Sequence, residues 1–388
     1  MTVSFNHSLA PAIKFGVGLA TRLAEELAPI CTDRQVLIIS DPGVKAAGLA
    51  DAVMAALKRN GFATDLFNDL KGETSAASID KAATMIRTGR PSAVVGLGGG
   101  SAMDAAKLAV AVSAAEHDAE TYTLMRQPLP QRTAKLIMLP TTAGTGSEVT
   151  RTAVFTDSHN HKVWTWGDEL AADLVILDPE LTLRLPNTLT AATGLDAMVH
   201  AIEACTAKRS HPFAQAAGLQ AIRLIFHNLA KAIDRPLDLN VRGNLLTAAT
   251  LAGMALDGAG AGLAHSIGHA LGTIAGIHHG RAVALALDVI FPKNATTAVD
   301  IHAQIAVILG VEPDTVEEMA KKGAGAFGYF MRRVGIDMSL KPAGLKQSDS
   351  DLLGDVILSE ENTPMRENNC YSASESDISE FARQLLSR

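Results

Sequence analysis

Cysteine is scarce: Cys31, Cys205 and Cys370 are the only three in 388 residues, and they stand far apart. An odd, scattered set supports neither a disulfide framework nor a Cys-x-x-Cys metal site, so a reducing compartment is expected. Basic runs are missing, and the net charge of −7 argues against the positive footprint that a nucleic-acid partner needs. No stretch of about eighteen continuous apolar residues occurs, so no membrane span is expected. The opening MTVSFNHSLAPAIKFG lacks a basic segment followed by an apolar one, and no secretory signal is expected. Together these absences point to a soluble, cytoplasmic protein. Aromatics are only 4% of the chain. With Ala and Gly abundant, helices should pack closely through small side chains.

What remains is enough apolar sequence, 47%, for a globular fold, and enough length for two domains. The first half alternates strand-like runs with helical patterns. Strands are expected at Val36–Ser40, Ala63–Phe67, Ala93–Gly98, Leu136–Leu139 and Leu174–Asp178. Helices are expected at Leu49–Asn60, Ala76–Thr88 and Ser101–Ala115. Repeated strand–helix–strand units imply a doubly wound parallel sheet, with ligands at the carboxyl ends of the strands. Ala153–Thr156 and Lys162–Trp166 read as a hairpin beside that sheet. From Asn187 onward only helical patterns follow, ending in a helix capped around Ser376. An α/β domain over 1–185 and an all-helical domain over 186–388 are therefore expected.

Two polar loops stand at strand ends. GLGGGSAMDAAK (Gly96–Lys107) follows a strand and opens a helix. Its glycines let backbone N–H groups approach an anion, and the helix N-terminus adds partial positive charge. Ser101 is the expected N-cap, with Asp104 in a capping-box position. The spacing is neither the GxGxxG fingerprint nor a Walker loop. PTTAGTGSEVT (Pro140–Thr150) carries four Thr, one Ser and two Gly, donors suited to phosphate, ribose or a carboxamide. The pair suggests a dinucleotide stretched across neighbouring strand ends.

The helical half carries its own chemistry. GLAHSIGHALGTIAGIHHG (Gly262–Gly280) holds four of the twelve histidines, His265, His269, His278 and His279. His265 and His269 are four apart and share a helix face; Asp196 and His200 in GLDAMVHAIEAC repeat that spacing. Imidazoles and a carboxylate presented together suit Zn or Fe(II). Small neighbours (Ala264, Ser266, Gly268, Ala270) leave room for a close approach. The plain alternative is a set of histidines in Ala-rich core helices.

GGGSAMDAAK, LPTTAGTGSEVT, DPELTLRLP, AATGLDAMVHAIEA and GLAHSIGHALG…HHG, in that order, resemble the iron-containing (group III) alcohol dehydrogenase family nearly end to end. The resemblance implies a Rossmann-like α/β domain, an all-helical C-terminal domain and a cleft between them. It implies metal ligands at Asp196, His200, His265 and His279, and a histidine near the reacting centre at His269. Cofactor positions would include Asp41, Gly98, Gly99, Ser101, Asp104, Thr141, Thr142, Thr145 and Lys162. His279 is chosen over His278 because it directly precedes Gly280. FNDLKGETS stands where many members carry an Asn-Pro element, which leaves that edge of the cofactor site open.

The implied activity is reversible hydride transfer between an alcohol and NAD, NADP less so, with Fe(II) or Zn(II) polarising the oxygen. A homodimer or higher homo-oligomer acting on a small alcohol or aldehyde is expected. A dehydroquinate-synthase-like lyase is the alternative. It would need several cations near the metal, and the two ligand-bearing stretches offer only Arg281.

Overall fold

The computed structural model describes residues 4–388 except 9, 71 and 73. Eight strands occur among the described residues: β1 (Ala12–Phe15), β2 (Gln35–Ser40), β3 (Ala63–Phe67), β4 (Ala93–Gly98), β5 (Lys135–Pro140), β6 (Thr152–Thr156), β7 (Lys162–Trp166) and β8 (Leu174–Leu177). Between them lie α1 (Leu23–Leu27), α2 (Pro42–Ala46), α3 (Leu49–Arg59), α4 (Ala76–Gly89) and α5 (Gly100–Val112). Six strands form one parallel sheet in the order β1-β8-β5-β4-β2-β3. Strand β4 is buried along its whole length, as its unbroken AVVGLG run requires of a central strand covered on both faces.

The chain steps outward from β2 to β3 and then returns past β2 to β4. The strand order therefore reverses between β2 and β4, and Asp41 and Gly98 stand at the two carboxyl ends of that switch point. Open α/β sheets bind ligands in this crevice.

The hairpin forms as expected, β6 antiparallel to β7, but it is a separate two-stranded sheet rather than an added edge. It covers α5, whose Ala102–Val112 side chains are thereby buried between the six-stranded sheet and the hairpin. Strand β1 was not anticipated. It pairs only with β8, at the sheet edge.

The strands end at Leu177, and the helical part opens with α6 (Asn187–Thr206), α7 (Pro212–Asp234), α8 (Leu239–Ala259), α9 (Leu263–Ala275) and α10 (His279–Asn294). It continues through α11 (Val299–Ile308), α12 (Val316–Arg333), α13 (Ser350–Ile357), α14 (Thr363–Asn368) and α15 (Glu375–Leu386). Helices α6, α7 and α8 pack mutually, and α9 lies on α10. Small residues set these spacings. A methyl group on Gly268 of α9 would lie 2.4 Å from Val283 Cγ1 of α10, and one on Gly280 2.2 Å from the Ala192 carbonyl of α6. The room expected around His265 and His269 is thus used, at Gly268, by a neighbouring helix. The final helix is capped by Ser374, not Ser376, in a reciprocal box with Asp377. No helix among the described residues is long and apolar enough to cross a membrane.

Candidate metal centre and cofactor cradle

Helix α6 presents Asp196 and His200 one turn apart inside the helical part, α9 adds His265 from its first turn, and α10 adds His279 as its first residue. One ligand atom from each of the four falls within 4.8 Å of all the others. Asp196 Oδ1 stands 3.6 Å from His279 Nε2, 3.8 Å from His200 Nδ1 and 4.0 Å from His265 Nε2. These separations are too long for hydrogen bonds. Asp196 Oδ1, His200 Nδ1 and His265 Nε2 are buried and have no partner. Leaving such atoms unsatisfied costs about 1–3 kcal/mol each, and one divalent cation among them would satisfy all. Three imidazoles and a carboxylate fit Fe(II) or Zn(II). His278 precedes α10 and is exposed, so the choice between the adjacent histidines falls to His279.

Burial drives His200 down to about 4, against the pull of Asp196. It likewise holds His279 and His269 well below the usual imidazole range, with the Lys162 charge as the next cause. Burial thus favours the neutral form that a ligating imidazole such as His200 or His279 must have. His265 differs. Burial is the largest influence and lowers it, but the charge and hydrogen bond of Glu203 together with the charge of Asp196 raise it above the usual value.

Glu203 was not anticipated. It is buried on α6, two turns beyond Asp196, and accepts from the backbone N–H of Gly262 at 2.9 Å and of Ala264 at 2.6 Å. His265 Nδ1 lies 2.5 Å from its Oε2. With Nδ1 donating there, His265 turns its Nε2 lone pair toward Asp196. The sequence signal was a lone acid in the apolar run AMVHAIEAC.

His269 is buried one turn beyond His265, its ring 5.4 Å from that of His279, and its Nδ1 has no partner. It stands outside the four-residue cluster. Lys162, on the hairpin, lies near enough for its positive charge to lower His265, His269 and His279. Arg281, the expected nearby cation, is instead tied to Asp337 and Ser339.

At the switch point, Gly99 occupies the N-cap position of α5 and no side chain caps the helix. Ser101 is therefore inside the first turn, not the cap, and the free amides there suit an anion. Thr142 lies over Gly99 and Thr145 over Gly100; a methyl group on those glycines would come within 3.4 and 2.7 Å of them. The Thr141 N–H donates to the Gly98 carbonyl at 2.9 Å. A methyl on Gly98 would sit 3.0 Å from Asp41 Oδ2 and 2.6 Å from Ala102 Cβ, so only glycine fits. Asp41, Gly98, Gly99, Ser101, Thr141, Thr142 and Thr145 are thus brought together. Asp104 is not with them. Its Oδ1 meets Lys107 Nζ and Ser147 Oγ, and its Oδ2 accepts from the Val154 N–H. The carboxylate faces the interior because α5 is covered by the hairpin on that side.

The loop 141–150 joins the two regions. Beyond its contact with Gly100, its Gly144 would clash with Thr193 of α6 if it bore a methyl, at 2.7 Å. Thr193 is three residues before Asp196.

The model of the iron-containing alcohol dehydrogenases matches residues 10–179, and that of the C-terminal part of the Fe-containing alcohol dehydrogenase family matches residues 190–386. The chain belongs to the iron-containing alcohol dehydrogenase family. Within it, the choline dehydrogenase of Bacillus subtilis is 36% identical over 314 residues, covering 80% of this chain and 78% of that one. Long-chain-alcohol dehydrogenase 1 of Geobacillus thermodenitrificans is 32% identical, covering 87% and 86%. The crystal structure of a 1,3-propanediol oxidoreductase superposes with a TM-score of 0.91 at 28% identity, over 99% of this chain and 100% of that one. A sulfoacetaldehyde reductase from Bifidobacterium kashiwanohense, solved with NAD+, gives 0.89 at 26% identity, over 99% of each. The chain is an alcohol dehydrogenase of this family, with an Asp/His metal site.

Proposed function

We propose that this chain interconverts a primary or secondary alcohol with its aldehyde or ketone, using NAD in preference to NADP and Fe(II) or Zn(II) at Asp196, His200, His265 and His279. One observation carries the reading. The 141–150 loop touches the uncapped N-terminus of α5 through Thr145 and the metal-ligand helix through Gly144, which supports reading that N-terminus as a dinucleotide cradle beside the ligand cluster. When bound, the metal supplies a Lewis acid for the alcohol or carbonyl oxygen, and the nicotinamide supplies the hydride acceptor.

The chain's own residues do the rest. Gly98, Gly99 and Ser101 offer backbone donors to the pyrophosphate, and Thr141, Thr142 and Thr145 offer hydroxyls along the loop. Lys162 contributes positive charge on the hairpin side of the histidines. His269, whose Nδ1 is buried and unpartnered, takes the alcohol proton on toward solvent in this reading. The relatives' names span choline, long-chain alcohols and 1,3-propanediol, so the family fixes the functional group and leaves the rest of the substrate to the pocket walls. The test is nicotinamide absorbance with metal-loaded protein and a panel of alcohols, aldehydes and ketones. Turnover with any pair supports the reading; no turnover in either direction with either dinucleotide overturns it.

A further inference from the structure

Lys107 is a fully buried cation on α5, in the apolar run AAKLAVAV. Its Nζ donates to Ser147 Oγ at 2.7 Å, the Thr152 carbonyl at 2.8 Å and Thr150 Oγ1 at 3.1 Å, and lies 3.2 Å from Asp104 Oδ1. Ser147 Oγ in turn donates to Asp104 Oδ1 at 2.5 Å. Taking an ammonium out of water is costly and is tolerated only where its protons are well matched. Here three of the four acceptors belong to the end of the 141–150 loop and the strand it feeds. Two further contacts clamp the same loop to the helical part. Gly146 packs so closely on Gly253 of α8 that a methyl on either would meet the other glycine's backbone at 2.5 Å. Next to it, buried Glu148 accepts from Thr250 Oγ1 of α8 at 2.7 Å. The loop's opposite end carries Thr142 and Thr145 over Gly99 and Gly100, and its Gly144 carbonyl lies against the His200 ring.

We propose that Lys107 is a positioning residue: by anchoring Ser147, Thr150 and Thr152 to α5, it holds the 141–150 loop in the one setting that serves both the dinucleotide cradle and His200. None of the four groups that Lys107 meets is one of the metal ligands Asp196, His200, His265 and His279. Lys107 acts through the loop, so loosening it moves two sites at once. Dinucleotide affinity falls because Thr142 and Thr145 leave the α5 N-terminus, and metal retention falls because the Gly144 carbonyl no longer supports His200. Asp104, which meets both Lys107 and Ser147, shares this role.

The inference rests on the dinucleotide reading of the cleft, and wild-type NADH binding, followed by fluorescence, tests that reading separately. Absence of wild-type binding overturns the reading and the inference with it. With wild type binding, Lys107→Met is expected to weaken NADH at least tenfold and to surrender metal to a chelator at least tenfold faster. Ser147→Ala, which removes one anchor and leaves the ammonium paired, shifts both quantities the same way by a smaller factor. Val53→Ala, in α3 on the opposite face of the sheet, serves as the control for general destabilisation and moves neither constant. Should Lys107→Met fail to fold, Ser147→Ala decides. If the folded Lys107 or Ser147 variant binds NADH and retains metal like wild type, or shifts only as far as Val53→Ala, Lys107 is a structural cation and the proposal falls.

Discussion

Glu203 Oε2 and His265 Nδ1 stand 2.5 Å apart in the buried heart of the helical part. The same carboxylate accepts the N–H groups of Gly262 and Ala264, so one side chain both starts α9 and orients its first histidine. Carboxylates that orient a ligating imidazole in this way typically affect metal affinity by about 10–100-fold. Glu203→Gln keeps the size but turns an N–H₂ group toward donors. Metal affinity in chelator competition should fall by about that factor, whereas His200→Ala and His265→Ala should lose the metal almost entirely. Full metal content in both alanine variants would remove the ligand assignment.

His269 should behave differently from its neighbour one turn away. It lies outside the ligand cluster, so His269→Ala should retain metal while turnover drops by about 10²–10⁴-fold, the usual range for a lost proton-transfer group. Metal analysis and kcat on the same preparation check both halves. Loss of metal together with activity would make His269 a ligand.

Much of this architecture is legible in sequence because the parallel strands are buried on both faces and read as unbroken apolar runs. Strand β1 is not legible in that way: AIKF is mostly exposed, and only its partner β8 makes it a strand. Asp104 shows a second limit. Spacing marks a carboxylate near the start of α5, but α5 is buried from Ala102 to Val112, so no polar face tells which way that carboxylate points. The actual direction depends on Lys107 and Val154, the latter fifty residues away. Asp196 and His200 were easier because their i,i+4 pairing is local, whereas the same spacing in the next stretch joins His265 to His269, which lies outside the cluster, and only the family resemblance pointed to His279. Glu203 was missed since its partners, Gly262 and Ala264, are distant in sequence.

Asp377 makes the acid stability of the C-terminal helix testable. It accepts from the Ser374 backbone N–H and hydroxyl, its largest stabilising contacts, and from Tyr371. These bonds depress its carboxyl from 3.8 to about 2. A depressed acid contributes its stability fully above the unfolded value and loses it as pH falls through the folded one. Asp377→Asn should therefore cost about 1 kcal/mol near neutrality, as for other N-terminal capping losses. The Tm gap between wild type and variant should close as pH falls from 3.8 to about 2. A gap that is constant with pH would mean that the charge of Asp377 plays no part.

Cofactor preference is expected to turn on Asp41, whose two carboxylate oxygens face different ways. Its Oδ1 caps α2 by accepting the Val44 N–H at 3.0 Å, the turn role that Asp often fills. Its Oδ2 lies over Gly98 at the switch point, where an adenosine ribose would sit. There the carboxylate can accept from both ribose hydroxyls and repels a 2′-phosphate. Two unit charges about 4 Å apart interact by about 1 kcal/mol in water and several-fold more in a partly buried site. A preference for NAD of roughly tenfold or more in kcat/KM follows, since about 1.4 kcal/mol corresponds to a factor of ten. Asp41→Gly removes cap and charge together and confounds the two. Asp41→Ser separates them: serine still caps α2 but carries no charge. The serine variant should keep the wild-type Tm within about 1 kcal/mol of stability and narrow or invert the NAD/NADP ratio. If wild type already favours NADPH, or the ratio is unchanged in Asp41→Ser, then Asp41 serves only to cap α2.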